Sequence, residues 1–161
     1  MFSLCKKRAS IFLVKAGMIL CIVLLSGWKR SVSDQQTIDW IHHCIAGRFN
    51  ASEGTKLKKW ELNISEVGFL RLRKYSPNGK QEYFSFNLSR LNAMTYLGTV
   101  GSGYIILKTK GDDIIVQTYN DRKGNVDSMA TSLKLPVTNM EPEQLDTLNR
   151  YLESFKQDRI E

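Results

Sequence analysis

The chain has 161 residues and a formal net charge of +7, from 23 Lys and Arg against 16 Asp and Glu. Lys6, Lys7, Arg8, Lys15, Lys29 and Arg30 hold six of those positive charges, and all sixteen acidic residues lie beyond residue 30, so the remainder carries a net charge of only +1. That balance excludes the basic domain by which nucleic-acid binders hold phosphates, and Cys44, the lone cysteine beyond residue 30, excludes an intramolecular disulfide framework.

The apolar stretch from Ile11 to Trp28, interrupted by Lys15, is flanked by Lys6 to Arg8 on one side and by Lys29 and Arg30 on the other. A spanning helix needs about 20 predominantly apolar residues, and this stretch just reaches that length with Lys15 close enough to one end to snorkel. The unbroken run Ala16 to Trp28 also has the length of a secretory h-region, about 7–15 residues. No pair of small residues marks a cleavage site around Leu24 to Trp28, and apolar residues on both sides of Cys21 argue against a lipid-modified cysteine. Residues 1–30 therefore read as a signal-anchor contacting the membrane through residues 11–28, with a removed signal peptide as the alternative. The excess of basic residues on the first flank places the domain on the extracytoplasmic side; cleavage would leave it exported and soluble.

Residues 31–36 are polar and read as a linker, with Asp34 available as a helix cap. Residues 37–161 then have the size of one domain with a single core. Ile38, Ile41, Ile45 and Phe49 recur at helical spacing, with Cys44 beside the stripe as a small apolar residue. The period then switches to two. Trp60, Leu62 and Ile64 mark a first strand, and Val67 to Tyr75 a second. Phe84, Phe86 and Leu88 mark a third, Ala93 to Leu97 a short fourth, and Tyr104 to Thr109 a fifth. Ile114 to Tyr119 gives a sixth, Asn120 to Asn125 a polar loop, and Ser132 to Val137 a seventh. Pro142 suits the first position of a closing helix whose Leu145, Leu148, Leu152 and Phe155 share one face, with Asn139 as a candidate cap. The fold class is α+β: two amphipathic helices around about seven short antiparallel strands, curled into a sheet or barrel.

Strands followed by one C-terminal amphipathic helix, with the stretch Tyr83 to Leu91, the strand pair 104–119 and the helix 142–156, resemble small bacterial proteins with a pleckstrin-homology-like domain. The resemblance covers residues 56–157 and is architectural. It implies a bent sheet plugged by the helix. The basic residues Lys56, Lys58, Lys59, Arg71, Arg73, Lys74 and Lys80 crowd the first strands, as in phosphoinositide-binding members. An exported domain faces no phosphoinositide pool, so no ligand carries over.

Few residues of the chain offer chemistry. His42 and His43 are adjacent and point about 100° apart on a helix, so they do not ligate one metal together. Asp39 and His43 have i, i+4 spacing, but two ligands make no site. Gly98 to Gly103 lacks both the nucleophile-elbow spacing and the lysine of a phosphate loop, and reads as a hairpin connection. Residues 120–127 resemble a calcium loop, but Lys123 occupies a ligand position and no glutamate closes it. Asp112 and Asp113 read as turn residues. Trp60, Tyr75, Tyr83, Phe84 and Phe86 alternate with basic residues as base-stacking platforms do, but charge balance favours core packing. Gln117, Thr118 and Tyr119 offer a polar face with nothing to single it out.

The expectation is thus no catalytic, cofactor-binding or metal residue, no cofactor and no nucleic acid. It is a binding or accessory module of unknown ligand, membrane-anchored or exported, with protein partners allowed. The alternatives are a structural subunit of an envelope complex assembling through its N-terminal helix, with Lys15 pairing to an acidic partner, and a hydrolase or metal-dependent enzyme using His42, His43 or residues 120–127.

Overall fold

The structure, a computed structural model, describes residues 31–54 and 56–157. The signal-anchor and signal-peptide expectations for residues 1–30 lie outside the described residues. Among the described residues no helix is long and apolar enough to cross a membrane.

Helix α1 (Ser31–Ala46) is followed by eight strands among the described residues. These are β1 (Lys59–Ile64), β2 (Phe69–Tyr75), β3 (Gln81–Asn87), β4 (Leu91–Gly98), β5 (Ser102–Thr109), β6 (Ile114–Tyr119), β7 (Asp127–Ala130) and β8 (Ser132–Thr138). Helix α2 (Pro142–Gln157) ends the described chain. The fold is α+β, as the sequence predicts. Helical backbone already begins at Ser31, within the stretch read as a linker.

The strands form two antiparallel sheets, ordered β1-β2-β3-β6-β7 and β4-β5-β8, with no closed barrel. The expectation of a single curled sheet or barrel is corrected here, and the cause is local. Asn87 caps a 3-10 turn at Leu88–Arg90, its Oδ1 accepting the Ser89 N–H at 2.9 Å. Leu88, expected at the end of the third strand, is fully buried in that turn. The turn takes the chain out of the first sheet, so β4 pairs onward with β5, and the free edge of β3 is taken by β6.

Strand β7 leaves no signal in the sequence: Asp127-Ser128-Met129-Ala130 has no apolar alternation, and only Ala130 is half-buried. Strand β2 starts at Phe69 rather than Val67. Gly68 takes φ +77°, and the Ser65 carbonyl and hydroxyl accept the N–H groups of Gly68 and Phe69 in a turn.

One core serves both sheets and both helices. From α1 come Ile38, Ile41, Cys44 and Ile45, and from the first sheet Leu62, Ile64, Leu70, Leu72, Phe86 and Ile114. The second sheet adds Ile105, Leu107, Leu133, Leu135 and Val137, and α2 adds Leu148 and Leu152. Trp40 of α1 meets Tyr151 of α2 edge-on, ring centroids 5.0 Å apart. Helix α2 begins with Pro142, its Gln144 side chain accepting the Glu141 N–H at 3.4 Å, so Glu141 rather than Asn139 is the cap. It packs against the 3-10 turn and β4, where Lys156 Nζ donates to the Asn92 carbonyl at 2.6 Å.

A candidate binding face on the five-stranded sheet

Side chains alternate across a pleated sheet, so one face of β1-β2-β3-β6-β7 supplies the core and the other is left to solvent. The register aligns the outward residues into rows. The central row is Glu61, Arg73, Tyr83, Gln117 and Asp127, one residue from each strand. Beside it run Lys59, Tyr75, Gln81 and Tyr119 on one side and Asn63, Arg71, Ile115 and Met129 on the other, with Ser85 of that second row buried.

These rows are held by their own contacts. Lys59 Nζ sits 2.5 Å from Glu61 Oε1, and the Tyr75 hydroxyl donates to Glu61 Oε2 at 3.3 Å. The hydrogen bond from Lys59 keeps the Glu61 carboxyl below its usual pKa and raises that of Lys59. Arg73 lies over the Tyr83 ring at 5.4 Å, and Lys59 over Tyr75 at 5.5 Å. The Tyr75 side chain, then the Glu61 and Tyr83 groups, hold the Arg73 guanidinium above its ordinary pKa. Gln117 donates to Asp127 Oδ2 at 3.3 Å and accepts from the Tyr119 hydroxyl at 3.0 Å, which fixes the orientation of its carboxamide. With Glu61 engaged by Lys59, neither Arg71 nor Arg73 forms an ion pair among the described residues.

Three shallow depressions adjoin one another across this face. The largest, about 390 Å³, lies between Arg73, Gln81, Tyr83, Gln117 and Tyr119. A second of about 190 Å³ shares Arg73 and Tyr83 with it and reaches Arg71 and Glu61. A third of about 220 Å³ shares Gln117 and Tyr119 and reaches Asn125 and Asp127.

The residues singled out in the sequence are dispersed. His42 Nε2–H donates to the Leu62 carbonyl at 3.0 Å, and His43 Nδ1–H to the Asp39 carbonyl at 2.7 Å, so each ring ties backbone rather than facing a shared ligand. Among the described residues no three of His, Cys, Asp and Glu converge on a metal position. Asp121 accepts the Lys123 N–H at 3.0 Å and pairs with Lys80 at 2.9 Å, both of which hold its carboxyl low; it braces the turn at 120–125. Asp113 is likewise occupied by Arg90 at 2.8 Å and the Gly111 N–H at 3.0 Å. Cys44 is buried, which pushes its thiol pKa up.

The aromatic set divides between faces. Phe86 is buried and Trp60 and Phe84 pack against the core, whereas Tyr75 and Tyr83 belong to the outer rows. The basic set divides too: Lys59, Arg71 and Arg73 face outward, Lys80 pairs with Glu82 and Asp121, and Lys74 lies on the inner face over Phe84 at 5.0 Å. Gln117 and Tyr119 join the outer face while Thr118 turns inward, its hydroxyl accepting the Val126 N–H at 2.7 Å. Gln81 had no mark in the sequence, because the pairing that sets Tyr119 of β6 beside it spans more than thirty residues. Compared with known proteins, the chain matches no family model, no curated protein and no solved structure.

Proposed function

We propose that this chain is a non-catalytic binding module whose ligand-facing surface is the outer face of the five-stranded sheet, held at the extracytoplasmic side of a membrane by residues 11–28. The observation that carries the reading is the row Glu61, Arg73, Tyr83, Gln117, Asp127. It is a solvent-facing strip of aromatic, amide and charged side chains over a rigid sheet, oriented by the Gln117–Asp127 hydrogen bond, the Arg73–Tyr83 cation–π contact and the hold of Lys59 and Tyr75 on Glu61. Polar groups fixed in place on rigid strands lose little freedom on binding, which is the condition for specific recognition. The pleckstrin-homology-like resemblance adds no ligand to this reading.

The test is complementation of a host strain lacking the chain. Wild type and His43→Ala are expected to restore whatever deletion disturbs, while Arg73→Gln/Tyr83→Ala is expected to fail at unchanged expression and thermal midpoint. Restoration by the double variant would overturn the reading, as would a turnover activity abolished by one polar substitution elsewhere.

A further inference from the structure

We infer that the outer face of the first sheet takes a linear acidic oligosaccharide, a chain of pyranose rings carrying carboxylates, lying across the strands. The inference rests on the binding-face reading above and names its ligand class. Three observations carry it. The first is lining: Arg73, Gln81, Tyr83, Gln117 and Tyr119 surround the central depression with no aliphatic side chain. Small-molecule clefts are lined mostly by apolar groups, and this one is not. The Tyr119 ring, 46 % exposed, gives a flat surface for the C–H face of a sugar ring, Tyr83 supports Arg73 from beneath, and the Gln81 carboxamide offers a paired donor and acceptor to neighbouring hydroxyls.

The second is charge. Glu61 is engaged by Lys59, and Asp127 receives the Gln117 amide, whereas the guanidinium groups of Arg71 and Arg73 are not ion-paired among the described residues. Guanidinium is the side chain that best matches a carboxylate, through two parallel hydrogen bonds. The third is shape. The three depressions share residues in sequence, Arg73 and Tyr83 between the first two, Gln117 and Tyr119 between the next. They form one track from β1 to β7, about 19 Å across at the usual strand spacing, and an oligomer fills such a track better than a monomer.

The same geometry disfavours other occupants. A peptide that adds to a sheet does so at an edge, where backbone groups are free, while this track is centred on β2, β3 and β6, which are paired on both sides. Single-stranded nucleic acid needs a continuous positive groove, and here Glu61 and Asp127 stand at the two ends of the central row.

Calorimetric titration of the full-length chain in detergent micelles tests this. The probes are tetragalacturonate, a hyaluronan tetrasaccharide, neutral cellotetraose and tetraglutamate. At least one acidic tetrasaccharide is expected to bind tenfold or more tighter than cellotetraose and tetraglutamate. Arg73→Gln is expected to remove the preference for the acidic sugar, and Tyr83→Ala and Gln81→Ala to weaken it tenfold with the thermal midpoint kept. Equal binding of tetraglutamate, no binding of either acidic sugar, or affinity unchanged in all three variants would overturn the inference. So would a concentration-dependent doubling of mass abolished by Tyr83→Ala, which would assign the face to a second copy. If no acidic sugar binds but Arg73→Gln/Tyr83→Ala still fails to complement, the glycan falls and the binding face stands. If the double variant complements, the binding face itself falls.

Discussion

Lys74 is the residue most at odds with its surroundings. It lies on the inner face of β2 opposite Trp60 and Glu82, and burial lowers its pKa from about 10.5, with Glu82 opposing. The unfolded chain therefore holds this proton more tightly than the folded one. The penalty on folding is full below the folded-state pKa and fades as pH rises toward the unfolded value near 10.5. Lys74→Met should raise the thermal midpoint near neutral pH, and its advantage should shrink toward pH ~10; a constant or absent advantage in pH-dependent melting would contradict this. Gly103 poses a steric constraint instead. It pairs with Gly98 at the end of the β4–β5 hairpin, and a Cβ there would collide with the Tyr96 ring. Gly103→Ala should cost about 1–3 kcal/mol in denaturant unfolding. The glycines 98–103 were legible as a hairpin connection, but the ring that dictates Gly103 sits across the pair and leaves no local signal. The same holds for the tyrosines: spacing shows alternation, yet which parity faces water depends on where α1 and α2 pack.

Elements were legible where a strong period and a local signal agreed. Strand β6 was predicted at its observed bounds, Ile114–Tyr119, because an Asp-Gly-rich turn and a polar loop frame an apolar run. Helix α2 followed from Pro142 and the stripe Leu145, Leu148, Leu152 and Phe155, of which Leu148 and Leu152 are fully buried. The pairing of β3 with β6 was not legible, since it depends on the chain leaving the sheet after Asn87. That exit is a two-sided clamp: Asn87 Oδ1 takes the Ser89 N–H, and its Nδ2 donates to the Val67 carbonyl at 3.2 Å, tying the 3-10 turn to the β1–β2 turn. Asn87→Ala removes both bonds and is expected to cost about 1–2 kcal/mol, measured by chemical denaturation, whereas Asn87→Asp retains the cap and should recover part of it. A loss below a few tenths of a kcal/mol would show that the exit from the sheet does not depend on this side chain.

For the whole molecule, the proposed location and the proposed face make separate demands. A C-terminally tagged chain expressed in its own host is expected in the membrane fraction at full-length mass. Recovery as a soluble exported form lacking about 25–30 residues would replace the anchor with a removed signal and leave the binding face intact. The sheet order has a temporal consequence. The chain runs through β1–β3, crosses to β4–β5, returns for β6–β7 and crosses again for β8, so the first sheet is complete only at Ala130 and the second only at Thr138. The last core contributions, Leu148 and Leu152 of α2, come later still. β1–β2–β3 and β4–β5 pair locally, but the β3–β6 and β5–β8 pairings that complete the two sheets span long stretches of chain and form slowly. On the proposed route, that delay leaves both sheets open and the core uncovered until the last strand and helix have emerged on the far side of the bilayer.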